Sequence, residues 1–198
     1  MPRVVDGEVR RTEIAEAVLR VLARDGVEAV TMRGVAVELG CTTGMLTHWV
    51  EGRAELIRLA LAGIVQRQTD RALACLEGGA GIDAVVQALE QFLPLDDERR
   101  EEAIIWLGFW ALAVHDPALR FENRDRYCEF RRTCTRFLRD QGAPAGAASL
   151  VVDHVMSTVD GMAVAAVLEP EHWTVARQRR TLRHVVEMVR DSLGGSRG

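Results

Sequence analysis

Residues 31–53, TMRGVAVELGCTTGMLTHWVEGR, decide how the chain folds. Thr31 is placed to cap a helix whose buried stripe is Met32, Val35, Ala36 and Leu39, at i, i+3, i+4 and i+7. Gly40 supplies the backbone freedom that stops that helix. Thr42 then caps a second short helix running through Thr47 and His48. Glu51 and Gly52 break it, and a third, longer helix opens at Arg53. Two short helices joined by a tight turn form a helix-turn-helix, a motif whose second helix enters the major groove of DNA.

Outward from this stretch, the periodicity stays helical. A helix over 9–25 carries Ile14, Ala15, Val18, Leu19 and Leu22 on one face and ends at Gly26, leaving residues 1–8 as a short tail. The helix from Arg53 continues through Leu56, Leu59, Ala60 and Ile64 towards Leu76, and residues 78–81 (GGAG) read as a linker. Ile82–Leu93 is the next helix, stopped by Pro94. Asp96 or Asp97 caps the one after it, and Asp116-Pro117 restarts the chain as cap followed by proline at the first helical position. That helix ends at Gln141-Gly142, another spans Leu150–Leu168, and Thr174 opens the last, with Leu182, Val185, Val186, Val189 and Leu193 as its stripe. No segment alternates with period two for long enough to make a strand. The expectation is an all-α chain of about nine helices. Residues 1–52 form a three-helix DNA-binding head, and residues 53–198 form a helical bundle.

Composition narrows the classes. At 48% hydrophobic residues a sizeable core is available, so global disorder is excluded. No unbroken apolar run of 18 residues and no signal-peptide pattern is present, which points to a cytoplasmic protein without a membrane partner. Cys41, Cys75, Cys128 and Cys134 match neither a zinc site nor a disulfide framework and read as free, packed thiols. No metal or cofactor is expected. The net charge of −4 does not itself favour DNA, and residues 1–53 hold seven Arg against eight acids. Such a head binds phosphates only if Arg3, Arg10, Arg11, Arg33 and Arg53 gather on one face. All 25 basic residues are Arg, which reflects base composition rather than function.

The likeness to a known family is carried by these same residues. TMRGVAVELGCTTGMLTHWVEGRAEL resembles, without gaps, the head signature of the tetracycline-repressor (TetR) family. IIWLGFWALAVHDPALR and VDGMAVAAVLEPEHWTVARQRRTLRHVV resemble the Trp-rich helix and the last two helices of its choline-responsive BetI-like subgroup. The likeness covers about residues 9–193. It implies a homodimeric repressor on a near-palindromic operator, released when a small-molecule effector moves the helix that begins at Arg53. The family usually has an aromatic residue where Thr47 stands, and Lys where Arg53 stands.

Candidate site residues follow. Arg33, Thr42, Thr43, Gly44, Met45, Thr47, His48, Trp49 and Arg53 would face DNA. Hydroxyls and ring N–H groups would meet phosphates or base edges, and Gly44 would allow close approach. Trp49 and Met45 could equally be core of the head. Thr43 and Arg53 are expected to be exposed, so that truncating them costs DNA affinity and not stability. Trp106, Phe109, Trp110 and Tyr127, with Phe121, Phe130 and Phe137, make seven of ten aromatic residues fall in two neighbouring helices. They suit an apolar effector pocket, a cage for a cation, or plain core. Met156 and Asp160 would complete the pocket. Asp160, in an apolar helix, needs a partner: an effector, or an Arg of the facing helix. The 150–168 helix is apolar almost all round and needs a partner on each side, or is fully internal to a monomer. The resemblance implies that residues 53–198 bind the effector and dimerise, this helix and the 174–193 helix meeting a second subunit through Val155, Gly161, Met162, Ala166, Leu182, Val186 and Val189. Two other functions compete. A helical-bundle enzyme lacks any HExxH, paired ExxH or Ser-His-Asp pattern, and its five His are scattered. A ligand-independent architectural protein would need the head and dimer helices but no pocket.

Overall fold

The computed structural model describes residues 7–140 and 142–194. Arg3 lies outside the described residues, as does the side chain of Leu193. Among the described residues the chain forms nine α-helices, one 3-10 turn and no strand.

Helix α1 (Gly7–Asp25) buries Ile14, Ala17, Val18, Val21 and Leu22. Gly26 ends it at φ +82°, a left-handed conformation that glycine adopts without cost from a side chain. A 3-10 turn (Val27–Ala29) leads to α2 (Met32–Glu38), where Thr31 Oγ1 accepts from the Gly34 N–H at 3.0 Å. Gly40, at φ +64°, turns the chain into α3 (Thr43–Leu46), where Thr42 Oγ1 accepts from the Met45 N–H at 3.2 Å. The regular part of α3 is shorter than the expected run to His48. Beyond Leu46 the hydrogen bonds become tighter, with His48 N–H on Met45 O and Trp49 N–H on Leu46 O.

Helix α4 (Arg53–Gly78) has 26 residues and is therefore about 39 Å long. Its first half belongs to the head. Leu56, Ile57, Leu61 and Ile64 pack with Ile14, Val18, Val35, Leu46 and Val50 in one core, which extends into the second half through Ile105, Phe109 and Leu119. No break in packing occurs at residue 52. The expected linker shrinks to Gly79 and Ala80, because α4 runs through Gly78 and α5 (Gly81–Glu90) starts at once. Helix α6 (Asp97–His115) is capped by Asp96, whose Oδ1 accepts from the Arg99 N–H at 2.8 Å. Helix α7 (Pro117–Asp140) is capped by Asp116, whose Oδ1 accepts from the Ala118 and Leu119 N–H groups. Helices α8 (Ala145–Leu168) and α9 (Val175–Gly194) complete the bundle. A second core unites α5, α8 and α9 through Val86, Leu93, Leu95, Val159, Met162, Leu182 and Val186.

Arg53 is not placed as the sequence suggests. Its Nε donates to Val30 O at 3.0 Å and an Nη to Val27 O at 3.0 Å. The guanidinium satisfies two carbonyls of the turn before α2, so it fastens the start of α4 to the head instead of reaching for phosphate. The expectation of a fully exposed side chain is corrected: Arg53 is tethered, with 38% of its side chain open to solvent. Nothing in the spacing of residues reveals a partner 23 to 26 positions back.

Two substitutions test this account of the head. A Cβ on Gly34 would sit 2.4 Å from Ala29 O, a backbone atom. Gly34→Ala is therefore expected to destabilise by about 1–3 kcal/mol despite the better helix propensity of alanine, which urea denaturation would read. Arg53→Ala is expected to cost about 1–2 kcal/mol by stranding Val30 O, while Val27 O keeps the Val30 N–H. An unchanged melting temperature for that variant would return Arg53 to the role of a purely DNA-facing residue.

Candidate functional site

Around α3 the head presents a polar surface. Thr42, Thr43, Gly44, Met45, Thr47 and His48 are all exposed, Trp49 is half-buried against the head core, and Leu46 and Val50 are buried beneath them. Met45, at 55% exposure, is not core. The Thr47 hydroxyl donates to Gly44 O at 2.8 Å, which leaves its lone pairs outward. A Cβ on Gly44 would meet nothing nearer than Thr42 Oγ1 at 3.9 Å. The fold itself thus has no need of glycine there. Arg33 is exposed at the start of α2 and Arg11 on α1. Other head cations are tied up: Arg20 and Arg24 both bond Glu38, at 2.7 and 2.8 Å, and Arg10 bonds Glu13 at 2.7 Å. The Arg24 and Arg20 guanidiniums hold the Glu38 carboxyl below the usual carboxylate range. They pin α1 to α2 and mask the one carboxylate of α2.

Between α4, α6, α7 and α8 lies a cavity of about 120 Å³ with mostly apolar walls. Trp106 and Trp110 of α6, Tyr127 and Phe130 of α7, and Met156 and Asp160 of α8 line it as expected. Phe109 does not. It is fully buried in the head-side core and meets Trp106 edge-on at 6.2 Å. Three residues turn a side chain by about −60° and four by about +40°, so Phe109 and Trp110 diverge by about 100°. Phe121 and Phe137 are exposed on α7.

Asp160 finds a partner, but not an arginine. The Tyr127 hydroxyl donates to Asp160 Oδ2 at 2.8 Å. Burial pushes the Asp160 carboxyl above its ordinary range, opposed by the Tyr127 hydrogen bond and the nearby Arg131. Burial and the Asp160 charge together push the Tyr127 phenol far above its ordinary value.

Sequence reasoning missed Gln68, Thr69, Phe92 and Arg126, which also line the cavity. Gln68 left a signal: it continues the buried α4 stripe of Ile57, Leu61 and Ile64, where an amide is out of place. Its Oε1 accepts from Trp106 Nε1 at 3.3 Å, and its Nε2 donates to Glu102 Oε2 at 3.2 Å. Glu102 is 1% exposed, and Arg71 donates both Nη groups to it, at 2.6 and 3.2 Å, while Arg67 Nε lies at 3.4 Å. A continuous polar path thus leads from the cavity wall into α4.

The expected dimer contacts need correction. Met162, Ala166, Leu182 and Val186 are buried within the chain itself, Val155 lines the cavity, and Val189 is half-buried. Of the seven, Gly161 alone is exposed. A helix apolar on every side does not disclose which side meets its own core. The outward face of α8 is Leu150, His154, Ser157, Gly161 and Leu168, with Leu150 and Leu168 about 70% exposed. The segment Gly146–Leu168 is also long and apolar enough to cross a membrane by length and composition. Asp153, His154 and Asp160 interrupt it, so the sequence shows no unbroken apolar run there. Asp153 pairs with Arg131 of α7 at 2.8 Å, which fixes this helix against its neighbour.

The comparisons with known proteins agree with this architecture. Residues 81–191 match the BetI-type transcriptional repressor C-terminal family. The chain is 28% identical over 192 residues to the HTH-type transcriptional regulator PksA of Bacillus subtilis, covering 96% of this chain and 94% of that protein. It is 26% identical over 179 residues to the HTH-type transcriptional regulator BetI of Vibrio parahaemolyticus, covering 86% and 87%. Among solved structures it is similar to a transcriptional regulator from Rhodococcus sp. Rha1, with TM-score 0.81, 26% identity, and 92% and 96% of the two chains covered. A regulator from Saccharomonospora viridis, solved in complex with choline, has the same fold, with TM-score 0.77, 24% identity, and 91% and 96% covered. The chain belongs to the TetR family of DNA-binding transcriptional regulators and carries a BetI-type C-terminal domain.

Proposed function

We propose that the protein is a homodimeric, effector-responsive repressor acting on cytoplasmic DNA, with residues 1–52 reading a near-palindromic operator and residues 53–198 holding the effector and the dimer interface. The observation that carries this reading is the α3 surface. Five side chains, Thr42, Thr43, Met45, Thr47 and His48, are exposed there, and Gly44 among them lacks a Cβ for no reason internal to the fold. A backbone left bare on a helix surface suits close approach by a phosphate or base edge.

Dimerisation is supported by α8. Only 22% of its most apolar window is buried within one chain, and its outward face carries Leu150 and Leu168 around the small residues Ser157 and Gly161. A second copy of the same face, with the exposed Met188 of α9, covers that surface symmetrically. Two heads then lie about one DNA turn apart, roughly 34–36 Å. The relative solved with choline supports use of this architecture for a small molecule. In this chain the occupant of the cavity touches Trp106, and through Gln68 and Glu102 it acts on α4, whose other end is fastened to the head by Arg53. An effector shifts the DNA-binding equilibrium only by the difference in its affinity for the two states.

Selection of bound DNA from a random pool yields the operator and opens two tests. Gly44→Ala is expected to lower operator affinity by roughly tenfold, about 1.4 kcal/mol, with a melting temperature equal to or above wild type. Equal binding by the variant in a mobility-shift assay would remove α3 from the interface. At saturating effector, Gln68→Met is expected to leave operator release incomplete, because the polar path from Trp106 into α4 is cut. Release as complete as in wild type would show that coupling takes another route.

A further inference from the structure

Arg126 lines the cavity and keeps one buried donor unmatched. It sits on α7 with one Nη donating to Glu122 at 2.9 Å, and its guanidinium lies 6.0 Å from the centroid of the Trp106 ring. Its Nε is buried, and among the described residues no acceptor reaches it. Buried N–H groups without partners are rare, and each costs the desolvation of the donor unless a further group completes it. The other polar groups on the wall with named partners are already matched: Trp106 to Gln68, Gln68 to Glu102, and Tyr127 to Asp160. Among the described residues Arg126 Nε is thus a donor at the cavity wall still open to an acceptor.

The electrostatics agree. The expectation of an aromatic cage for a cation fails at its principal ring, because the cation near Trp106 is the protein's own Arg126. A second guanidinium, that of Arg131, lies 5.6 Å from the Tyr127 ring. Each guanidinium is itself paired, Arg126 with Glu122 and Arg131 with Asp153, so a quaternary ammonium is kept from Trp106 and Tyr127 by the guanidiniums already beside those rings and not by a net positive charge.

We propose that the effector of this protein is a small molecule with a flat apolar body and a carbonyl or carboxylate oxygen. The oxygen accepts from Arg126 Nε, and the body lies against Trp106, Trp110 and Phe130. This rests on the reading of the cavity as the effector site, and it separates the chain from its choline-bound structural relative in ligand class while keeping the same fold.

The experiment is a titration of the full-length protein, read by tryptophan fluorescence and by thermal shift, with four probes: benzoate, benzamide, benzylamine and choline. Wild type is expected to bind benzoate or benzamide roughly tenfold more tightly than benzylamine or choline, as the loss of a charge-assisted hydrogen bond implies. The acid and the amide separate a carboxylate from a neutral carbonyl. Arg126→Met is expected to abolish the preference. Arg126→Lys keeps the charge without the Nε donor, and it reports the same loss should the Met variant not fold. Benzylamine or choline binding as tightly as the acceptor probes overturns the proposal alone, and so does a preference that survives both variants. Silence from all four probes overturns the effector reading of the cavity and this proposal with it.

Discussion

A buried carboxylate on α6 fixes the relation between the two halves of the protein. Glu102 is almost wholly removed from water, and an ionised group so placed persists only when matched by charge and hydrogen bonds. Its matches all come from α4: Arg67, Gln68 and Arg71, one turn of helix. Because α4 begins at Arg53, bound to the turn that precedes α2, the same helix is pinned at both ends by polar contacts and along its first half by the head core. The α4 helix therefore cannot slide freely past α6. It moves as a lever when Trp106 moves, or it does not move. Apolar packing alone would tolerate small shifts in register; a bidentate Arg–carboxylate pair has a fixed geometry.

Much of the fold is legible in the residues because its punctuation is local. Thr31, Thr42, Asp96 and Asp116 each bond an N–H within three residues of themselves. Gly26 and Gly40 sit at positive φ where the helical pattern stops. Local bonds of this kind leave their signature in spacing, and so the helix order and most boundaries follow. The site was only partly legible, because its decisive contacts join residues far apart in the chain. Arg53 reads as a surface cation until its partners at Val30 and Val27 are seen. Phe109 shares a sequence face with Trp106 and Trp110, yet tertiary packing sends it to the other core. The direction of α8 was hidden for the opposite reason. Its pattern is apolar on nearly every side, so spacing gives no direction, and most of the residues expected at an interface are turned inward.

Asp160 and Arg126 show how a cavity is specified by what its walls leave unpaired. Asp160 drew attention as an acid among apolar residues, and the structure gives it a tyrosine hydroxyl. Arg126 drew none, since α7 carries many arginines on its outer faces. It differs from them in being partly buried beside Glu122 and Trp106, a distinction of neighbours and not of residue type. The polar character of the pocket thus comes from an arginine that composition hides.

The head poses a problem of charge that the bundle answers. Of its arginines, Arg20 and Arg24 are spent on Glu38, Arg10 on Glu13, and Arg53 on backbone carbonyls. Arg11 and Arg33 remain as exposed cations, with the threonine hydroxyls, the His48 ring and the N–H groups at the start of α3. So few phosphate contacts give one head little of the counterion-release energy that drives most binding to duplex DNA. Joining two heads makes the second binding event effectively intramolecular and multiplies weak contacts without adding new ones. On the proposed function, the outward face of α8 is then as much a part of DNA recognition as α3. A lightly charged head would gain its affinity from a second copy held at a fixed distance, and the α4–α6 joint at Glu102 would let an effector in the bundle alter that distance.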